Sequence, residues 1–83
     1  MLTVYSKNYC PFCDKAKHLL KTKSINFTEV KIDEDNDARE WLLEQGHRTV
    51  PQLYLGESLL VEGGYHGLVK LSDEELQHRL EGA

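Results

Sequence analysis

Two cysteines three positions apart, in Cys10-Pro11-Phe12-Cys13, are the residues of this chain best suited to chemistry. A thiolate attacks disulfides, and two thiols at this spacing can also close a disulfide with each other. Positions i and i+3 of a helix share a face. That brings the two Cα atoms within the roughly 4.4–6.8 Å that a disulfide spans. A free thiol with a pKa near 8.5 is only about 3% ionised at pH 7. A helix start lowers that pKa, because unpaired N–H groups and the helix dipole favour an anion. Cys10, ahead of the first turn, would gain most, and Lys7 three residues upstream would add positive charge. Cys13 would sit beneath it and stay protonated until needed. This asymmetry makes Cys10 the nucleophile and Cys13 the resolving thiol of thiol–disulfide exchange.

Other uses of the pair fit less well. A zinc site needs about four ligands, and two cysteines supply half of them. His18 would point away from Cys13 on a continuous helix, although His47 could fold back. Covalent haem attachment needs His directly after the second cysteine, where Asp14 stands. Two inert buried cysteines are the remaining alternative, since Cys often serves as core.

The elements that must position this pair are legible in the pattern. Leu2–Ser6 alternates and is rich in β-formers, which predicts a first strand. Pro11 suits the first position of a helix. Phe12, Ala16, Leu19 and Leu20 then recur at helical spacing to about Lys23. Phe27–Ile32 reads as a second strand. Asp33–Asp37 is an acidic, solvated helix start with an N-cap. The helix it opens places Ala38, Trp41 and Leu42 on one face, with Gly46 as terminator. Trp41 is expected to be core or a partly covered helix face, and His18, His47 and His78 to lie on the surface. Gln52–Leu55 and Ser58–Val61 flank Gly56-Glu57, a two-residue hairpin turn of type II′. Gly63-Gly64 ends the strand. The stretch from Tyr65 to Leu71 starts a helix, and Ser72 with Glu75 forms a capping box for a further turn or two carrying Leu76 and Leu80. The predicted order is β-α-β-α-β-β-α, a mixed sheet with helices on both faces.

Composition narrows the class. Eighty-three residues make one small domain, spanning 1–83, and 40% hydrophobic residues supply one modest core. The net charge of −4 argues against nucleic-acid binding, which needs a basic face. No apolar run approaches the roughly 20 residues of a membrane span. The N-terminus lacks the charged start and apolar stretch of a signal peptide. Two cysteines cannot build a multi-bridge secreted scaffold. These features predict a soluble protein of a reducing cytoplasm.

Taken together, Tyr5-Ser6-Lys7, Cys10-Pro11-Phe12-Cys13, Ala16-Lys17, Thr49-Val50-Pro51-Gln52 and Gly63-Gly64 resemble the glutaredoxins, in the family's order and over nearly the whole chain. The resemblance implies the thioredoxin-like fold with a four-stranded mixed sheet. It implies a dithiol glutaredoxin that reduces protein disulfides and glutathione mixed disulfides. Catalysis would fall to Cys10 and Cys13, and glutathione binding to Lys7, Phe12, Arg48, Thr49, Val50, Pro51, Gly64 and Tyr65. Lys7, with Arg48, would meet the glycyl carboxylate, and Val50 the cysteinyl backbone. The Gly64 and Tyr65 N–H groups would meet the γ-glutamyl carboxylate. Pro51 would follow a cis bond and face the cysteines, an isomer that X-Pro peptides adopt far more readily than others. Glutathione is then the reducing co-substrate, with no metal and no permanently bound cofactor. Partners are disulfide-containing or glutathionylated proteins, ribonucleotide reductase among the candidates, and the protein acts as a monomer.

One departure bears on glutathione. Many glutaredoxins carry acidic residues shortly after Gly-Gly, where an Asp contacts the γ-glutamyl amino group. This chain has Tyr65-His66-Gly67. Loss of a charge-assisted hydrogen bond costs roughly 1.5–3 kcal/mol. The same stretch resembles the glutaredoxin-like redoxins that thioredoxin reductase recharges and that serve ribonucleotide reductase. A small zinc or interaction module is the non-enzymatic alternative.

Overall fold

Strand β1 (Leu2–Ser6) is a central strand of the sheet, in a computed structural model that describes residues 1–82. Its residues alternate as the sequence predicts, with Leu2, Val4 and Ser6 buried and Thr3 and Tyr5 half-buried on the opposite face. β1 pairs in parallel with β2 (Thr28–Lys31), Thr3 opposite Thr28. It pairs antiparallel with β3 (Gln52–Leu55), Val4 opposite Leu53. β4 (Ser58–Leu59) closes a hairpin on β3, giving the order β2-β1-β3-β4. Parallel neighbours require a crossover, and α1 (Pro11–Thr22) supplies it. The remaining helices are α2 (Asn36–Glu44), α3 (Gly64–Lys70) and α4 (Asp73–Glu81). The fold is the expected α/β architecture with a mixed four-stranded sheet.

The two faces of the sheet are covered differently. On one, Leu2, Val4 and Leu53 meet Ala16 and Leu20 of α1, Leu68 of α3 and Leu76 of α4 in a closed aliphatic core. On the other, Trp41 of α2 stacks on Tyr5 at 5.6 Å and meets Tyr54 edge-on at 4.9 Å. Trp41 is thus a half-buried helix-face residue, as expected. Asp35 caps α2 by accepting from the Ala38 N–H at 3.1 Å, and Gly46 follows the helix at φ +90°. Gly56 opens the hairpin turn at φ +61°, the sign that a II′ turn requires.

Three boundaries differ from expectation. The C-terminal region holds two helices, so the order is β-α-β-α-β-β-α-α. Leu71 is extended (φ −76°, ψ 135°), and Ser72 and Glu75 exchange the two bonds of a capping box at 3.0 and 3.1 Å. An N-cap needs non-helical backbone, so the box itself separates α3 from α4. β4 stops at Leu59 rather than Val61. The Leu60 N–H still reaches Leu53 O at 2.9 Å, after which Leu60 and Val61 turn into the core. β2 is shorter than Phe27–Ile32 by a residue at each end, although the Ile32 N–H donates to Ser6 O beyond it.

Candidate functional site

The loop from β1 to α1 is fixed before it reaches the cysteines. Asn8 accepts from Lys31 Nζ at 3.0 Å. It donates from its backbone N–H and its side chain to Asp33, both at 3.1 Å, and from its side chain to Glu34 at 2.6 Å. Tyr9 takes the left-handed region at φ 57° with its side chain fully exposed. This turn delivers Cys10 to the N-cap of α1 in extended conformation, followed by Pro11 at the helix start.

The cap geometry is chemical as well as structural. The Cys13 N–H donates to Cys10 Sγ at 3.2 Å. Cys10 is 7% exposed and Cys13 is fully buried. The two are joined as a disulfide with a Cα–Cα distance of 5.2 Å, inside the range expected from the spacing. On reduction, the same N–H and the helix N-terminus stabilise negative charge on Cys10 rather than on Cys13.

A polar group beneath the site ties α1 to the sheet. Glu29 of β2 accepts from Lys17 at 2.7 Å and from the buried Ser6 hydroxyl at 2.6 Å. These bonds, Lys17 first, hold the Glu29 carboxyl below its ordinary range, and the bond to Glu29 raises Lys17 above its own.

Opposite Cys10 runs the loop before β3. Its Val50–Pro51 bond is cis, as expected, and Val50 O lies 3.9 Å from Cys10 Sγ. A groove of about 660 Å³ passes over this loop. Phe12, Thr49, Val50, Pro51, Gly64 and Tyr65 line it, as does His66. Lys7 and Arg48 are exposed and are not among its lining residues.

The glycines set the shape of the far end. A Cβ on Gly64 would come within 2.6 Å of Pro51 O, and Gly64 has φ +57°. A Cβ on Gly67 would collide with the Glu62 carbonyl. The position after His66 therefore has no room for a side chain. His66 itself is exposed at the groove, its ring 4.9 Å from that of Phe12.

Six groove residues escaped the sequence reading of the site: Gln45, His47, Gln52, Tyr54, Leu59 and Glu62. His47, expected on the surface, is half-buried and bonds Tyr54 Oη at 2.5 Å. Burial raises the Tyr54 hydroxyl above its usual pKa. Gln52 follows Pro51 directly, and this place in the sequence was the one available signal for it. Among the described residues no group of three or more His, Cys, Asp or Glu stands close enough to hold a metal ion.

A mixed four-stranded sheet, a Cys-x-x-Cys pair capping the helix after β1, and a cis-proline loop facing that pair define a thioredoxin-like protein. The chain belongs to the glutaredoxin family, whose family model matches residues 2–60. It is 40% identical over 53 residues to glutaredoxin 3 of Escherichia coli, covering 63% of this chain and 64% of that one. The chain spans between about half and two thirds of the length of the first curated relatives it matches. Among solved structures it is similar to a buckwheat glutaredoxin–glutathione complex, with a TM-score of 0.77 and 28% identity over 98% of this chain and 76% of that chain. It is also similar to the glutaredoxin-like NrdH-redoxin of Escherichia coli, described as having a thioredoxin-like activity profile. That match has a TM-score of 0.65 and 28% identity over 68% of this chain and 74% of the other.

Proposed function

We propose that this protein is a dithiol glutaredoxin, a glutathione-dependent thiol–disulfide oxidoreductase. The observation that carries the reading is the Cys13 N–H aimed at Cys10 Sγ at the start of α1. The Cys10 thiolate attacks one sulfur of a target disulfide. A Cys10–target bond forms, the target's own S–S bond breaks, and one target thiolate leaves. Cys13 then gives up its proton and attacks Cys10, which releases the second target thiolate and leaves the Cys10–Cys13 disulfide. One glutathione thiolate opens that disulfide at Cys10, and a second attacks the glutathionyl sulfur. Glutathione disulfide departs and both cysteines are reduced.

Glutathione would lie in the groove over Pro51. Val50 would hold its cysteinyl backbone, with Phe12, Thr49 and Pro51 as walls. The Gly64 and Tyr65 N–H groups would meet the γ-glutamyl carboxylate, and Lys7 with Arg48 would approach the glycyl carboxylate from outside. The likeness to the buckwheat complex supports glutathione as the ligand. Targets are protein disulfides and glutathionylated proteins, in a compartment that keeps thiols reduced.

The groove's far end favours a second reading. His66 and Gly67 provide no acceptor carboxylate, and Gly67 has no space for one. Together with the likeness to NrdH-redoxin, this supports a redoxin recharged by thioredoxin reductase and serving ribonucleotide reductase. A coupled assay separates the two. Turnover with glutathione and glutathione reductase is expected. Turnover with thioredoxin reductase alone would favour the second reading.

A further inference from the structure

We propose that Gln52 is a positioning residue: its side-chain amide holds the Thr49–Val50 peptide so that the Val50 N–H faces the backbone of an incoming disulfide substrate. This rests on the thiol–disulfide exchange proposed above, whichever reductant completes the cycle. Gln52 is the first residue of β3, only 6% exposed, and lies opposite Tyr5 in the sheet. Its Nε2 donates to Thr49 O at 3.0 Å.

The Thr49–Val50 peptide is trans, since Val50–Pro51 is the cis bond here. In a planar trans peptide the C=O and N–H point in opposite directions. Anchoring Thr49 O to Gln52 therefore turns the Val50 N–H to the other side. There it finds no acceptor among the described residues. The Val50 carbonyl, one peptide further on, lies 3.9 Å from Cys10 Sγ. A backbone that docks on Val50 thus reaches the sulfur that must attack it. A hydrogen bond to the Thr49 carbonyl also polarises the peptide and strengthens its N–H as a donor.

The rest of the Gln52 side chain argues against a purely structural role. Its Oε1 is buried and has no hydrogen-bond partner among the described residues. A buried acceptor without a partner is destabilising. An apolar side chain of similar size would remove that defect along with the single bond to Thr49. What it would lose is the fixed direction of the Val50 N–H.

The experiment uses the pre-reduced full chain and a disulfide-bonded peptide in single turnover, so that no recycling reductant enters. Wild type should oxidise Cys10 and Cys13 with saturating dependence on the peptide. No oxidation in wild type would sink the exchange reading itself. Given wild-type exchange, Gln52→Leu should raise the half-saturating peptide concentration about tenfold. It should leave the limiting rate within about twofold and the melting temperature equal or higher. Gln52→Glu supplies a control that does not depend on packing. A buried carboxyl is protonated more readily, and only its protonated form can donate to Thr49 O. The ratio of its half-saturation to that of wild type should fall toward one between about pH 8 and about pH 5. Half-saturation unchanged in Gln52→Leu, a lowered melting temperature there, or a ratio for Gln52→Glu that does not move with pH would overturn the assignment.

Discussion

The two ends of the groove are built on different principles. At the sulfur end, position is fixed by directed bonds. The Cys13 N–H points at Cys10 Sγ, Asn8 is tied to Lys31, Asp33 and Glu34, and Glu29 ties Lys17 to Ser6. At the Gly63–His66 end, position is fixed by missing atoms. Gly64 lets Pro51 O approach, and Gly67 makes way for the Glu62 carbonyl. On the proposed function, reactivity and ligand grip would separate within one small site. The sulfur chemistry needs a few groups held at set directions. At the far end shape comes first, and close packing leaves no place for a side chain at Gly67.

Breaking the sulfur end should have the largest effect. Cys10→Ser is expected to abolish all exchange, since no other thiolate stands at the helix start. Cys13→Ser should retain turnover of small glutathione mixed disulfides and lose reduction of protein disulfides, measured with both substrates in the coupled assay. Equal loss of both activities in Cys13→Ser would remove the distinction between nucleophile and resolving thiol.

At the far end the expected damage is to stability rather than chemistry. Gly67→Ala places a Cβ against the Glu62 carbonyl. Overpacking of this kind costs about 1–3 kcal/mol, read as a lowered midpoint in denaturant, while the pH dependence of Cys10 alkylation stays as in wild type. A thiol that changes together with stability would show that the two ends are coupled.

His66→Asp sharpens the comparison in the other direction. It restores an acceptor at a position that lines the groove. The apparent KM for glutathione should fall about tenfold, or ~1.4 kcal/mol. The kcat should stay nearly constant, because this end of the ligand lies far from the reacting sulfurs. Robust wild-type turnover with no response to His66→Asp would withdraw the γ-glutamyl assignment at this end.

The smallest effect belongs to the polar tie under α1. Glu29 is held below its ordinary value of 4.5 by Lys17 and Ser6. A carboxyl depressed in the folded state stabilises above its unfolded pKa, and that contribution fades as pH falls through the folded one. Glu29→Gln should therefore melt lower than wild type near neutral pH. The difference should close as pH falls below about 4.5. A gap that persists in acid would mean that packing, not charge, ties α1 down.

What was legible in the sequence is largely what is local. The alternation of Leu2–Ser6, the Cys10-Pro11 helix start, an N-cap within Asp33–Asp37 and the Gly56 turn each depend on a few consecutive residues. The capping box at Ser72 was equally readable, and the break it imposes between α3 and α4 follows from the extended backbone it requires. The unread features depend on the path of the chain. Asn8 with Asp33 joins distant segments, while His47 with Tyr54 and the reach of Gln52 back across the Pro51 turn depend on loop geometry that residue spacing does not display. Lys7 and Arg48 came from the family resemblance alone, and they are exposed residues that do not line the groove.

The central claim is that the start of α1 makes Cys10, not Cys13, the reactive thiol. It is tested most directly by alkylating the fully reduced protein with iodoacetamide at about pH 6, where an unperturbed thiol is almost wholly protonated, and locating the label by peptide mass mapping at early times. Label is expected on Cys10 well before Cys13. Faster labelling of Cys13 would contradict it.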